Sequence, residues 1–179
     1  MSKTINCFVP FASAEQAKAT VDALKASELV KSVYLLKTPE AEGTIEGCES
    51  IDIKSLYATD TIKKIAEKAD ADYVLLYTKY DTLIPGMFAI ERFEKLASDS
   101  SAAMVYADHY QVVDGNQSNA PVIDYQFGSL RDDFDFGSVL MFNAANFKEA
   151  AAGIDVEYEH AGLYDLRLRI SRLGNLVHI

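Results

Sequence analysis

The chain has 179 residues, with 27 acidic against 17 basic side chains and a formal net charge of −10. That length suits one domain that buries roughly 70% of its unfolded surface, and the surplus of acid repels a nucleic-acid backbone, which argues against a nucleic-acid partner. No run approaches the ~18 apolar residues of a membrane span, and MSKTINCFVP is too short and too mixed for a signal peptide, so a cytoplasmic, soluble protein without a transmembrane segment is expected.

Two isolated cysteines, Cys7 and Cys48, lack CxxC spacing and read as reduced thiols. Three histidines are too few for a His-rich zinc site, and His160 and His178 are expected to be surface or packing residues.

Thr4 to Phe8 is apolar and β-prone and runs to Pro10. Ser13 followed by Gln16 is a capping-box signature, and Ala17, Val21 and Leu24 then repeat at helical spacing. Lys31 to Leu36 reads as a second strand, residues 37 to 50 as a Gly- and Glu-rich loop, and Ser50 to Ile53 as a short strand. Ile62, Ile65, Ala66 and Ala69 place a helix from about Asp60, leading into a strand over Asp72 to Tyr77.

The stretch YVLLYTKYDTLIPG then turns from strand to polar corner, with Pro85 expected in the first turn of a helix that carries Ala89, Phe93, Leu96 and Ala97 inward. Ala102 to Ala107 is a further strand. Three strand–helix–strand passages in succession require a mostly parallel sheet with helices on its faces.

After Asp108 the pattern changes. Two β-prone runs flank Asp114-Gly115 as a hairpin signal, with Pro121 in the second. The acids Asp132, Asp133 and Asp135 beside Arg131 precede an apolar run from Gly137 to Phe142, and Asn143 is placed to cap a helix over 144 to 152. The segment YDLRLRISRL fits both strand alternation and a helical stripe. Val177 to Ile179 begins another β-prone run that stops at once, as in a fragment of a longer sequence.

Several of these segments, in this order, resemble the family-2 glycosyltransferases: FVPF at Phe8 to Phe11, YVLLYTKYD ending in Asp81, Asp108-His109 after MVYA, and YDLRLR at Tyr164 to Arg169. The resemblance implies an α/β, three-layer αβα fold of the nucleotide-diphospho-sugar transferase (GT-A) type with a mostly parallel central sheet, and makes YDLRLRISRL a helix. Residues 1–107 would be a nucleotide-binding half and 108–179 an acceptor-side half, without the family's usual C-terminal continuation. It also implies an inverting glycosyltransferase that moves a sugar from a nucleotide-sugar donor to a hydroxyl of a saccharide acceptor, as in polysaccharide biosynthesis.

The sequence departs from that pattern in two places. Where the family has an Asp-x-Asp that holds Mg²⁺ or Mn²⁺, Thr78 and Tyr80 leave Asp81 as the one metal-binding acid. Where the family has Glu-Asp before its helix motif, Gly162 and Leu163 stand, and Asp165 survives as a catalytic candidate.

A leaving nucleoside diphosphate gains negative charge that a cation or fixed donors must neutralise. Lys79 can supply a point charge there, and Mg²⁺ can be held by one carboxylate plus substrate phosphates. The loop at Pro10 to Ser13 would bring Phe11 near a base, Lys37 and Thr38 would meet base or ribose, and Asp108 would line the donor site. Asp133 is a candidate general base; turn and N-cap duty explains the same acids equally simply. Loss of both motifs leaves an alternative open: a catalytically degenerate module that binds a saccharide or a protein partner.

Overall fold

The computed structural model describes residues 3–128, 131 and 133–179. Asp132, singled out above, lies outside them. Element order is β1 (Ile5–Phe11), α1 (Ala14–Lys25), β2 (Val30–Lys37), β3 (Glu49–Asp52), α2 (Thr59–Lys68), β4 (Tyr73–Tyr77), α3 (Ala89–Ser100) and β5 (Met104–Tyr106). Then come β6 (His109–Val113), β7 (Asn116–Ala120), β8 (Val139–Asn143), α4 (Ala144–Ala152), α5 (Gly162–Leu173) and β9 (Leu176–His178).

Seven strands form one sheet in the order β3-β2-β1-β4-β8-β5-β9, and β6 and β7 form a separate hairpin. Only β8 runs against its neighbours β4 and β5; the β1–β2, β1–β4, β2–β3 and β5–β9 pairs are parallel. The sheet is therefore mostly parallel, with β8 inserted antiparallel between β4 and β5, the fourth and fifth strands of the expected series.

The strands of the sheet centre are apolar on both faces because both faces are covered. On one side Ile5, Cys7 and Val9 of β1 meet Ala17, Val21 and Leu24 of α1 and Ile90, Phe93 and Ala97 of α3. On the other, Phe8, Val74, Leu76 and Phe142 meet Ile62 and Ile65 of α2, Phe147 of α4, and Leu163, Leu166 and Ile170 of α5. That burial settles YDLRLRISRL as a helix, since Leu163, Leu166 and Ile170 at helical spacing are buried while Tyr164 and Leu168 of the alternation are only half-buried.

Local signals explain the ends. Ser13 Oγ accepts from Gln16 N at 3.2 Å, and Asn143 Oδ1 accepts from Ala145 N and Asn146 N, so both expected caps form. Asp114 and Gly115 take φ of 51° and 76° in the tight β6–β7 turn, and Pro121 falls just beyond β7. The two cysteines are free.

Pro85 does not begin a helix. Residues 78–88 are irregular, Leu83 N donates to Thr20 Oγ1 of α1 at 2.8 Å, and Phe88 adopts a left-handed φ of 55° immediately before α3. The bond to α1 and the turn closed by Ala89 N on Gly86 O carry the chain sideways before helical geometry starts. No helix among the described residues is long and apolar enough to cross a membrane.

Candidate functional site

Because β1, β2, β4, β5 and β9 point the same way, their carboxyl ends form one rim, joined by the beginning of β8. Register fixes the row: Phe11 pairs with Lys37, Tyr106 with both Leu140 and His178, and Thr78 N donates to Ser138 O at 2.9 Å. In open α/β sheets this edge is where ligands bind. It carries Pro10, Phe11, Lys37, Thr38, Lys79, Asp81 and Asp108 together.

The β4 corner is held from three sides. Thr78 Oγ1 donates to Ser138 O at 3.1 Å, Tyr57 Oη donates to Thr78 O at 3.2 Å, and Tyr77 Oη donates to Asp81 O at 3.0 Å. Burial and then the Asp81 charge push the Tyr77 phenol up to about 12, so it remains a donor. Burial also raises Tyr80. On this frame Lys79 is half-buried and Asp81 exposed, and among the described residues neither side chain forms an ion pair or a hydrogen bond.

Phe11 cannot present a face to a base. Its side chain is 0% exposed in the core beneath α1, and Pro10 is buried beside it, because β1 is an interior strand covered on both faces. Lys37 Nζ sits 5.5 Å from the Phe11 ring centre and donates to Gly43 O at 2.7 Å. Thr38 O accepts from Ala41 N. Both residues thus shape the loop over the β1–β2 rim.

The acids proposed as bases have ion-pair partners of their own. Asp165 Oδ1 accepts from Arg169 Nε at 3.1 Å, and Arg169 also approaches Asp155 at 3.8 Å and Gly153 at the end of α4. Asp133, about two-thirds exposed, pairs with Arg131 at 3.0 Å in the segment before β8. Neither carboxylate bonds the β4 corner. Asp135 has the turn duty expected of it, accepting from Gly137 N at 2.7 Å.

Position 162 explains the lost Glu-Asp pair. A Cβ on Gly162 would lie 2.5 Å from Thr59 N and 2.7 Å from Ala58 C, so the start of α5 rests directly on the start of α2. Leu163 is 4% exposed in the core. The place that would carry a base is filled by packing.

Three groups escaped the sequence reading. His178 is not a mere surface residue: Nδ1 lies 2.7 Å from Asp124 Oδ1 and Nε2 3.0 Å from Asp108 Oδ1, with its ring stacked 5.1 Å from that of Tyr106. Asp108 is accordingly spent on this clasp and on Val122 N. Arg167 lies against Phe136, and Tyr57 anchors the corner. Their partners come from distant parts of the chain, so no local motif marks them.

A resident divalent metal does not fit the side chains present. Asp81 is the corner's single carboxylate, and no group of three His, Cys, Asp or Glu among the described residues could hold an ion. Two surface cavities are present, one of about 230 Å³ by Lys25, Tyr34 and Glu49, the other of about 440 Å³ along α3 beside Ile179.

No protein-family model matches the chain, and no curated protein matches it. Solved structures do. Residues 1–349 of Staphylococcus aureus TarS align at 9% identity and a TM-score of 0.69 over 98% of this chain, which spans only 58% of that one. CMP:2-keto-3-deoxy-manno-octonic acid synthetase, in complex with CTP, aligns at 12% identity and a TM-score of 0.60 over 100% of this chain and 89% of its own. The 2-C-methyl-D-erythritol 4-phosphate cytidylyltransferase of Thermus thermophilus aligns at 15% identity and a TM-score of 0.52, over 100% and 88%. The chain shares with these three structures an α/β fold, here with a mostly parallel central sheet.

Proposed function

We propose that the chain is a transferase domain that binds a nucleotide-diphospho-sugar at the carboxyl rim and passes the sugar to a hydroxyl acceptor, as in polysaccharide assembly in the cytoplasm. One observation carries the reading: Lys79, half-buried at the end of β4, has no anionic partner among the described residues of a chain with ten surplus acids. A half-buried lysine left unpaired at such an edge suits a phosphate.

In this reading Lys79 faces the diphosphate and stabilises the charge that grows as the sugar leaves. The Thr78–Asp81 backbone, fixed by Tyr57, Tyr77 and Ser138, keeps that cation in place without reorganisation. Asp81 adds one carboxylate for a Mg²⁺ or Mn²⁺ that arrives with the substrate.

The experiment is release of nucleoside diphosphate from uridine- and guanosine-diphospho-sugars, with saccharide acceptors and with or without Mn²⁺. Turnover that falls on Lys79→Ala supports the proposal; no release with any donor sinks the catalytic part of it.

A second reading, a module that binds saccharide or a protein partner without catalysis, is favoured by the packing at Gly162 and Leu163. It expects saccharide binding that persists in Asp81→Ala and no diphosphate release.

A further inference from the structure

Most cations of this protein are matched. Lys18, Lys31, Lys63, Lys64, Lys68, Lys95, Arg131 and Arg169 each approach a carboxylate, and Lys25 and Lys37 donate to backbone carbonyls. Arg167, half-buried, is an exception. Its guanidinium lies over the Phe136 ring, 5.4 Å from the centroid, and its Nε is sealed from solvent with no acceptor.

No hydrogen bond or ion pair reaches the rest of its fork among the described residues, and the two Nη groups are not sealed as Nε is. They therefore open outward. Burial draws its pKa below the ordinary arginine value against the opposing charge of Asp135, and the neutral phenols of Tyr164 and Tyr57 are also in its surroundings. Tyr164 is on the same helix three residues earlier, while Tyr57 is the residue whose hydroxyl holds Thr78 O at the β4 corner.

A guanidinium taken out of water costs stability unless a partner compensates it, and proteins seldom leave such a group unmatched. Stacking on Phe136 orients the fork but accepts none of its N–H donors. Helix geometry separates this face from the Asp165–Arg169 pair: residues 165 and 167 are about 200° apart around the axis. Asp165 is therefore not its counter-ion.

The geometry points to an oxyanion subsite in which the open Nη groups of Arg167 take a phosphate group. A planar fork grips two oxygens of one phosphate, which the point charge of Lys79 does not do. The phosphate can come from the donor's diphosphate or from a phosphorylated acceptor. Calling it a substrate subsite rests on the transferase reading; the presence of an anion site does not.

The test is calorimetry with inorganic pyrophosphate, uridine diphosphate and glycerol phosphate on the whole chain, comparing wild type with Arg167→Met and Arg167→Lys. Met keeps the contact with Phe136 and removes the charge; Lys keeps the charge and removes the fork. Binding of at least one probe should weaken about ten-fold or more in Arg167→Met and by a smaller factor in Arg167→Lys, while the Met variant melts no lower than wild type. Arg167-dependent loss of uridine diphosphate and pyrophosphate assigns the site to the donor, and loss of glycerol phosphate alone assigns it to the acceptor.

If pyrophosphate binds through Arg167 but no nucleotide binds, the anion site stands and the transferase reading falls. Nucleotide binding that is the same in all three proteins does the opposite. A Met variant that melts lower, with every probe unchanged, shows that Arg167 is a packing residue and overturns the inference, as does a wild type that binds none of the probes.

Discussion

His178 Nε2 lies 3.0 Å from Asp108 Oδ1, which joins β9 to the second residue after β5. The same ring reaches Asp124 on its other nitrogen, Asp108 also accepts from Val122 N at 2.8 Å, and Tyr106 Oη donates to Ile123 O while accepting from Tyr125 N. Residues 122–125 are thereby strapped across the rim.

This clasp should show in the pH dependence of stability. Burial, the largest single influence, lowers the His178 pKa, but its bonds to Asp124 and Asp108 and their charges outweigh it, leaving the pKa raised. The Val122 N–H and then His178 hold Asp108 low. A raised histidine stabilises fully below its unfolded value and loses that contribution as pH climbs through the folded one; a lowered carboxylate stabilises above its unfolded value and loses it as pH falls. The melting advantage of wild type over His178→Gln should thus be largest between about pH 4 and about pH 6.5, shrinking on both sides and with salt. An advantage that does not vary with pH would mean the ring acts only by stacking on Tyr106.

Gly162→Ala should destabilise by roughly 1–3 kcal/mol, since the new methyl meets the backbone of Thr59, which cannot swing aside as a side chain could. Gly86→Ala is the control, because nothing lies within 4 Å of its added Cβ. Equal melting temperatures for the two variants would contradict the close approach of α5 to α2.

Removing the Asn143 cap by Asn143→Ala should cost about 1 kcal/mol, or about 2–4 °C in a domain of this size. Two amide hydrogen bonds at the start of α4 are lost, and that helix carries Phe147 into the core. Urea melts at constant slope would check this.

Lys79→Ala should weaken uridine or guanosine diphosphate binding several-fold without lowering the melting temperature, because the ammonium makes no contact that folding depends on. Asp81→Asn should weaken binding only when Mn²⁺ is present. A dissociation constant unchanged in Lys79→Ala removes the ammonium from the account.

Legibility of the sequence followed the range of the interactions. Ser13, Asn143 and Asp114-Gly115 act on neighbours within four residues, so their caps and turn were readable from spacing alone. The Leu163, Leu166 and Ile170 stripe was ambiguous by period and was resolved by the sheet it covers. Pro85 misled because Thr20, far away on α1, captures Leu83 and diverts the chain. Phe11 misled because a strand's last residue can be as interior as its middle when a loop folds over it.

The His178 clasp and the Arg167 stack were illegible for the same reason. Each joins residues more than thirty positions apart, and nothing in LVHI or LRLR reports that an acid or an aromatic ring waits opposite. The empty base position was visible as Gly162-Leu163; only the contact with Thr59 shows why no acid can stand there.

The most direct measurement is amide shift mapping by NMR during titration with uridine diphosphate, guanosine diphosphate and their sugars. The account predicts saturable shifts gathered at residues 10–13, 37–38 and 78–81, with the 78–81 set diminished in Lys79→Ala. Shifts confined to the groove along α3, or none with any of these ligands at millimolar concentration, would contradict it.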